Sequence, residues 1–320
     1  MPLDGYPERV SILFTYPGQG SQREGMLHAL PSESVVSQTL AEASDTLGRD
    51  VLALDTEAAL RSSVAVQVGL LVAGVAMSRH LIDVAGPPDG VAGLSVGAYP
   101  AAVVAGALSF ADALRLVERR ARLMEAAFPS GYGMTAILGL DVSALTPLLA
   151  QVHAPESPVY LANINAPAQL VIAGASVAMA RVGVLAQGHG AHGVKPVAIS
   201  VPSHCALLEA PAAVLARDVA AVPMTAPRLH FFSASLGREL RDAARVADDL
   251  AGNMARQVRW HDTTTLAHER GVRLSIEMPP GQVLTRLGAA AFSDALFVAA
   301  SDTRVDTLAV LMERERRREA

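Results

Sequence analysis

Residues 91–103 read VAGLSVGAYPAAV and carry the pentad Gly93-Leu94-Ser95-Val96-Gly97. They lie in a long uncharged run, residues 90 to 111, between Asp89 and Asp112. A G-x-S-x-G pattern between an apolar strand and a helix is a nucleophile-elbow signature. The glycines let the backbone turn without Cβ clashes. The serine then stands at the head of the helix, and the next amide, that of Val96, is free to donate to an oxyanion. The competing reading makes Ser95 one more small packing residue in an Ala-rich helix. The length of the run would suit a membrane span. Gly90, Gly93, Gly97, Gly106 and Pro100 interrupt it, so it is read as a buried strand, a turn and a helix.

Outward from the elbow, strand and helix patterns alternate. Val10 to Thr15 reads as a buried strand ending in a Pro-Gly turn, SVAVQVGLLVAGVAMSRHLI has helical apolar spacing, and FADALRLVERRARLMEAAF is an amphipathic helix. This order predicts a parallel α/β sheet. After Phe128 the segment PSGYG breaks the chain. MTAILGL, VSALTPLLAQV, VYLANIN, AQLVIAG, SVAMARVGVLAQG and GVKPVAIS then read β-α-β-β-α-β, the ferredoxin-like order. Residues 130–199 are therefore expected to form a small ferredoxin-like domain. It is inserted into a large α/β domain made of residues 1–129 and 200–320. In the second part RLHFFSAS, RLSIEM and LFVAAS are predicted strands. AARVADDLAGNMARQV, HDTTTLAHERG and the charged LAVLMERERRREA are predicted helices.

The 320 residues are 51% hydrophobic and 18% charged, ample for a large core. A net charge of −5 gives no basic field for nucleic acid or an anionic membrane. The single cysteine, Cys205, excludes an intrachain disulfide and a cysteine-based metal site, and no metal is expected. The start, MPLDGYPERVSILF, has early acids and prolines and does not read as a signal peptide. A reduced, cytoplasmic setting is expected.

A nucleophilic serine needs a base. Of nine histidines, His204 stands apart, in ISVPSHCALLEAP, after an apolar strand and where a helix is expected to begin. The ends of parallel strands are where active sites gather. The alternative is a helix cap made by Ser203, with His204 incidental. Cys205 is its neighbour in sequence, but adjacent helical side chains do not face each other, so Cys205 is read as core. His189 and His192 sit in a Gly-rich turn without further ligands. On the helix RLVERRARLMEAA, Arg115, Arg119 and Arg122 fall on the polar side. Arg120 falls within the apolar stripe of Leu116, Val117, Leu123, Met124 and Ala127. A buried guanidinium must be paired. The partner is either a protein acid or the carboxylate of a substrate. Gln19, in YPGQGSQ, is held between two glycines in a turn that lacks the lysine and spacing of a phosphate loop.

Four stretches in this order, PGQGSQ, GLSVGA, Arg120 and VPSH, resemble the malonyl-CoA:acyl-carrier-protein transacylases. NINAPAQLVIAG and EMPPGQVLTRL also look like segments of that family. The resemblance covers nearly the whole chain. It implies an α/β-hydrolase-like large domain with a ferredoxin-like small domain and a cleft between them. It further implies that Ser95 accepts the acyl group, that His204 is its base, and that Gln19 and the Val96 amide form the oxyanion hole. By the same resemblance Arg120 binds the malonyl carboxylate, and a backbone carbonyl near QVRW, around Arg259, orients His204. The implied substrates are malonyl-CoA and the prosthetic-group thiol of an acyl carrier protein, with no bound cofactor. The elbow departs from the family at Leu94, where a histidine is usual, and at Ala98, where a glutamate is usual. A GLSVGA elbow is most similar to the epsilon subunit of malonate decarboxylase, which implies the carrier subunit of that enzyme as acceptor. A fatty-acid or polyketide transacylase is the alternative. A serine hydrolase of acyl thioesters is a further class, but more than a hundred residues follow His204, whereas a hydrolase histidine comes late. A non-catalytic carrier-docking relative is a third class, against which the joint presence of Ser95, Arg120 and His204 speaks.

Overall fold

The apolar run after residue 10 becomes β1 (Ile12–Tyr16), a strand with all five residues buried. In the computed structural model, residues 10–128, 130–199 and 201–319 are described. Residues 1–9 of the start weighed as a signal peptide, and Ser200 at the end of GVKPVAIS, lie outside them. After β1 come α1 (Ser34–Leu47), α2 (Ser63–Ala85), β2 (Gly90–Gly93), α3 (Ala98–Val104) and α4 (Phe110–Ala127). The middle of the chain forms β3 (Tyr132–Leu138), α5 (Val142–Val152), β4 (Val159–Ala166), β5 (Gln169–Ala175), α6 (Ser176–Gly188) and β6 (Gly193–Pro196). The last part forms α7 (Glu209–Ala220), β7 (His230–Ser233), β8 (Arg238–Leu240), α8 (Ala243–Gly252) and α9 (Trp260–Glu269). It closes with β9 (Leu274–Glu277), α10 (Val283–Ala291), β10 (Leu296–Ala299) and α11 (Val305–Glu319).

The large sheet has the order β10-β9-β1-β2-β7-β8. Its first five strands are parallel. The inner strands β1, β2, β7 and β9 are buried throughout, as strands covered on both faces must be. The sixth strand, β8, runs antiparallel to β7 at the edge of this otherwise parallel sheet. It has only three residues, REL, too short for an apolar run. The hairpin that makes it turns at Gly237, with φ 60°, a left-handed conformation suited to glycine.

Helix α2 is buried on nearly every side and packs against α1 and α4. Among the described residues it is the one helix long and apolar enough to cross a membrane, and 89% of its most apolar window is buried inside the fold. The Ser62 hydroxyl caps it by accepting from the Val64 N–H. Helix α4 is capped likewise by Ser109, accepting from the Asp112 N–H. Its outer arginines pair with acids at the surface: Arg115 with Asp112, Arg119 with Asp218 and Arg122 with Glu118. Such exposed pairs contribute about 0–1 kcal/mol each.

The small sheet has the order β4-β5-β3-β6 with every pair antiparallel. Helices α5 and α6 cover one face around Ile137, Leu145, Leu170 and Val182. The strand and helix order is the ferredoxin-like one, so the chain is a large α/β unit carrying a smaller unit of this type. The opposite face, with Met134, Ala162, Val171 and Ala173, packs on Cys205 of the large unit. Backbone bonds fasten the two: the Ile164 N–H donates to the Val258 carbonyl at 2.8 Å, and the Val258 N–H donates to the Ala162 carbonyl at 2.8 Å.

Candidate active site

The pentad of residues 93–97 crosses from β2 into a 3-10 turn, Ser95–Gly97, that leads into α3. The turn is tight enough to need both glycines. A Cβ on Gly93 would lie 2.0 Å from the Gly97 backbone, and one on Gly97 would lie 2.2 Å from the Tyr16 carbonyl oxygen. Ser95 has φ 59° and His204 has φ 65°, the two non-glycine residues at positive φ among the described residues. Each conformation costs on the order of 1–3 kcal/mol, and such strain clusters at functional sites. The Val96 N–H heads the turn, where no earlier helical carbonyl stands to receive it.

The two strained residues meet. Ser95 Oγ lies 2.8 Å from His204 Nε2. His204 Nδ1 lies 2.8 Å from the Asn253 carbonyl oxygen and 3.1 Å from that of Arg256. Carbonyls only accept, so Nδ1 carries the proton, and Nε2 presents its lone pair to the Ser95 hydroxyl. The carbonyls lie just before QVRW. A backbone carbonyl near QVRW was expected there, and the Arg259 carbonyl itself accepts from the Thr263 N–H at the start of α9. The helix read through residue 258 ends at Gly252, and the carbonyls that follow, no longer bound within a helix, serve the imidazole. Nor does a helix begin at His204. Its backbone N–H donates to the Met254 carbonyl at 2.7 Å, and α7 starts five residues later, after a 3-10 turn.

Arg120 is fully buried, 0% exposed, as the apolar stripe of α4 requires. No carboxylate meets it among the described residues. Its Nη2 donates to Ser95 Oγ at 3.1 Å and to Asn253 Oδ1 at 3.3 Å, and its Nη1 donates to Gln67 Oε1 at 2.6 Å. Nε has no hydrogen-bond partner. Burial lowers the guanidinium pKa to about 10, which leaves it charged at neutral pH. The cation sits with neutral acceptors only, and a small carboxylate would complete it. Sequence reasoning passed over Gln67 and Asn253. The signal for Gln67 is a lone amide in a 23-residue apolar helix. Asn253 gave none, because its place depends on where α8 ends. The Asn253 amide also donates to the Ser95 carbonyl at 3.2 Å.

A cavity of about 190 Å³ opens over Ser95 and His204. Gln19 lines it from the large unit, and Asn163 and Val171 from the small one. Cys205 points elsewhere. Its thiol donates to the Pro202 carbonyl, and burial raises its pKa to about 11, so it is unreactive at neutral pH.

Burial, and next the charge on Arg120, lower the His204 pKa to about 4. Proton removal from Ser95 needs the neutral ring. Activity present at neutral pH is therefore lost only as pH falls through the lowered value. We expect kcat/KM for acylation of Ser95 to stay flat from pH 8 to about 6 and its acid limb to centre nearer 4 than 6.5. A limb centred at 6.5 in a pH–rate profile would contradict the buried imidazole. Stability follows the same sign: the unfolded chain takes up this proton below about 6.5 and the fold does not, so stability falls as pH drops from there toward 4.

The chain matches the acyl transferase domain over residues 13–320. It is 38% identical over 280 residues to the malonyl CoA-acyl carrier protein transacylase of Salmonella typhimurium, covering 86% of this chain and 90% of that one. The structure of the corresponding transacylase of Coxiella burnetii superposes with a TM-score of 0.90 at 32% identity, over 97% of this chain and 99% of that one. A malonyl-transacylase solved in complex with a type II polyketide acyl-carrier protein superposes with a TM-score of 0.85 at 36% identity, over 91% of this chain and 95% of that one. A serine at a strained elbow, a neutral histidine on its hydroxyl and a cation buried beside it fit that likeness, and the chain is an acyltransferase belonging to the malonyl-CoA:acyl-carrier-protein transacylase family.

Proposed function

We propose that this protein moves the malonyl group of malonyl-CoA, through an ester on Ser95, to the prosthetic-group thiol of an acyl carrier protein. The observation that carries the substrate is Arg120, a buried cation with no protein carboxylate on it among the described residues and a donor 3.1 Å from Ser95 Oγ. A malonyl thioester has one carboxylate two bonds from the carbonyl under attack. Ser95 Oγ attacks that carbonyl while His204 Nε2 takes its proton. The tetrahedral oxyanion is held by Gln19 and the Val96 N–H. The proton on His204 goes to the CoA sulfur as the thiol leaves. The carrier thiol, deprotonated by the same nitrogen, then attacks the malonyl ester, and as the ester C–O bond breaks that proton passes from His204 to Ser95 Oγ, restoring the free serine.

The relatives support a carrier of fatty-acid or polyketide synthesis over the malonate decarboxylase acceptor that the GLSVGA elbow suggested. The setting we propose is the cytoplasm, and residues 130–199 are the small domain. A hydrolase reading is disfavoured by the partner of His204 Nδ1, which is a pair of backbone carbonyls and no acid. The test is transfer itself. Incubation with malonyl-CoA and a phosphopantetheine-bearing carrier protein should convert the carrier to its malonyl form by intact mass, faster than malonate appears in solution. Release of malonate with the carrier unmodified would overturn the proposal.

A further inference from the structure

Asn253 and Arg256, whose carbonyls take the ring N–H of His204, stand on the short segment between the end of α8 and Val258. Arg256 is held at its other end as well. Its side chain folds back on α8 and meets Asp248 in a bidentate pair, Nη1 to Oδ2 and Nη2 to Oδ1, each at 2.8 Å. Nη1 also donates to the Asp248 carbonyl oxygen at 3.2 Å. The last residue of the helix, Gly252, makes room for this. A Cβ there would lie 2.6 Å from Arg256 Cζ. A planar fork on a carboxylate fixes direction as well as distance, which a point charge does not. Bonds from Arg256 hold the Asp248 carboxyl below the usual carboxylate range, so the pair stays formed across the pH range in which neutral His204 serves as base. Neither side chain lines the cavity over Ser95. Both line a separate cleft of about 300 Å³ between α7 and α8. Glu209 on α7 faces the same cleft, and Asp249 lies beside the pair. Arg120 on α4 is the charge that faces His204.

We infer that Asp248 is a positioning residue for the catalytic base: its bidentate hold on Arg256 keeps the Arg256 carbonyl on His204 Nδ1, and so keeps the ring turned with Nε2 toward Ser95 Oγ. The inference rests on the acyl-transfer reading and deepens it. Asp248 touches no reacting atom. A surface pair of this kind adds little to stability. Its effect is directional, since one of the two acceptors of the ring proton moves with it. The effect falls on proton transfer from Ser95 and leaves substrate binding alone.

Three variants break the pair in different ways. Asp248→Ala removes the acid, Arg256→Met removes the cation, and Gly252→Ala keeps both charges but drives the guanidinium from its place. Alanine also suits a helical backbone better than glycine, so Gly252→Ala should melt close to wild type. Acylation of Ser95 by malonyl-CoA is followed by intact mass. The Nδ1 proton of His204 is followed by NMR of the free protein and assigned by its loss in His204→Ala. Each variant is expected to lower the acylation rate constant by about 3- to 10-fold with KM little changed. Each should also shift the Nδ1 proton upfield, with faster exchange. Asp248→Ala and Arg256→Met together should cost no more than either alone, because a single pair is lost. A rate constant and a proton signal unmoved in Gly252→Ala would overturn the inference. So would opposite changes in Asp248→Ala and Arg256→Met, the mark of charge acting through space. A wild-type protein that takes no malonyl group on Ser95 would remove the acyl-transfer reading itself, while the proton signal would still decide whether the pair holds the ring.

Discussion

Ser95→Ala is expected to end malonyl-adduct formation altogether. After exposure to malonyl-CoA the wild-type mass should rise by one malonyl group, and the variant mass should not move. Turnover should drop by about 10⁴-fold or more, the scale seen when a nucleophile that acts with its base is removed. The loss will not come from unfolding. The hydroxyl accepts from Arg120 Nη2, which still has Asn253 Oδ1, and alanine at φ 59° is strained no more than serine. Melting of the variant should therefore lie close to that of the wild type. An adduct that persists in Ser95→Ala would place the acyl group on another residue and would undo the mechanism.

Arg120→Ala is expected to change which acyl group is taken. On the proposed reading, a malonyl carboxylate beside Ser95 would form charge-assisted bonds to the guanidinium, each contributing about 1.5–3 kcal/mol. Removal of the partner should lower kcat/KM for malonyl-CoA by roughly 10²- to 10³-fold. Acetyl-CoA has nothing to place there and should lose far less, so the preference narrows from both directions. Arg120→Lys should fall between the two. One ammonium cannot serve Gln67, Ser95 and Asn253 together as the planar fork does. The measurement is the ratio of kcat/KM for the two donors. A ratio that Arg120→Ala leaves unchanged would remove the clamp.

How much of this was legible in the sequence depends on how local each determinant is. The elbow was legible because two glycines and an uncharged run restrict the backbone within five residues. The burial of Arg120 was legible because helical periodicity places it among Leu116, Val117 and Met124. The ferredoxin-like unit was legible as an order of six elements, each with its own period. The edge strand β8 was not, since three residues carry no period and pairing with β7 alone makes them a strand. The segment near which the partner of His204 Nδ1 lies was legible, but the two carbonyls themselves were not. Residues 253–256 read as a helical continuation, and only the packing of His204 against them calls their carbonyls away. Gln67 was hidden for the opposite reason. The apolar residues around it dominate the periodic signal, and the meaning of one amide appears only when α4 brings Arg120 against it.

The main-chain bonds between β4 and Val258 have a consequence for how this site can vary. The two walls of the cavity are tied in part by backbone groups, which every residue except proline supplies alike. Side chains lining the space, among them Leu94, Val171 and Val197, make none of these main-chain bonds. A substitution there reshapes the room without moving its walls, and the serine, the histidine and the arginine keep their places. Scaffold and selectivity are thus written in different parts of the chain. A lineage could exchange one acyl preference for another by small steps while each intermediate still folded and still carried out the chemistry.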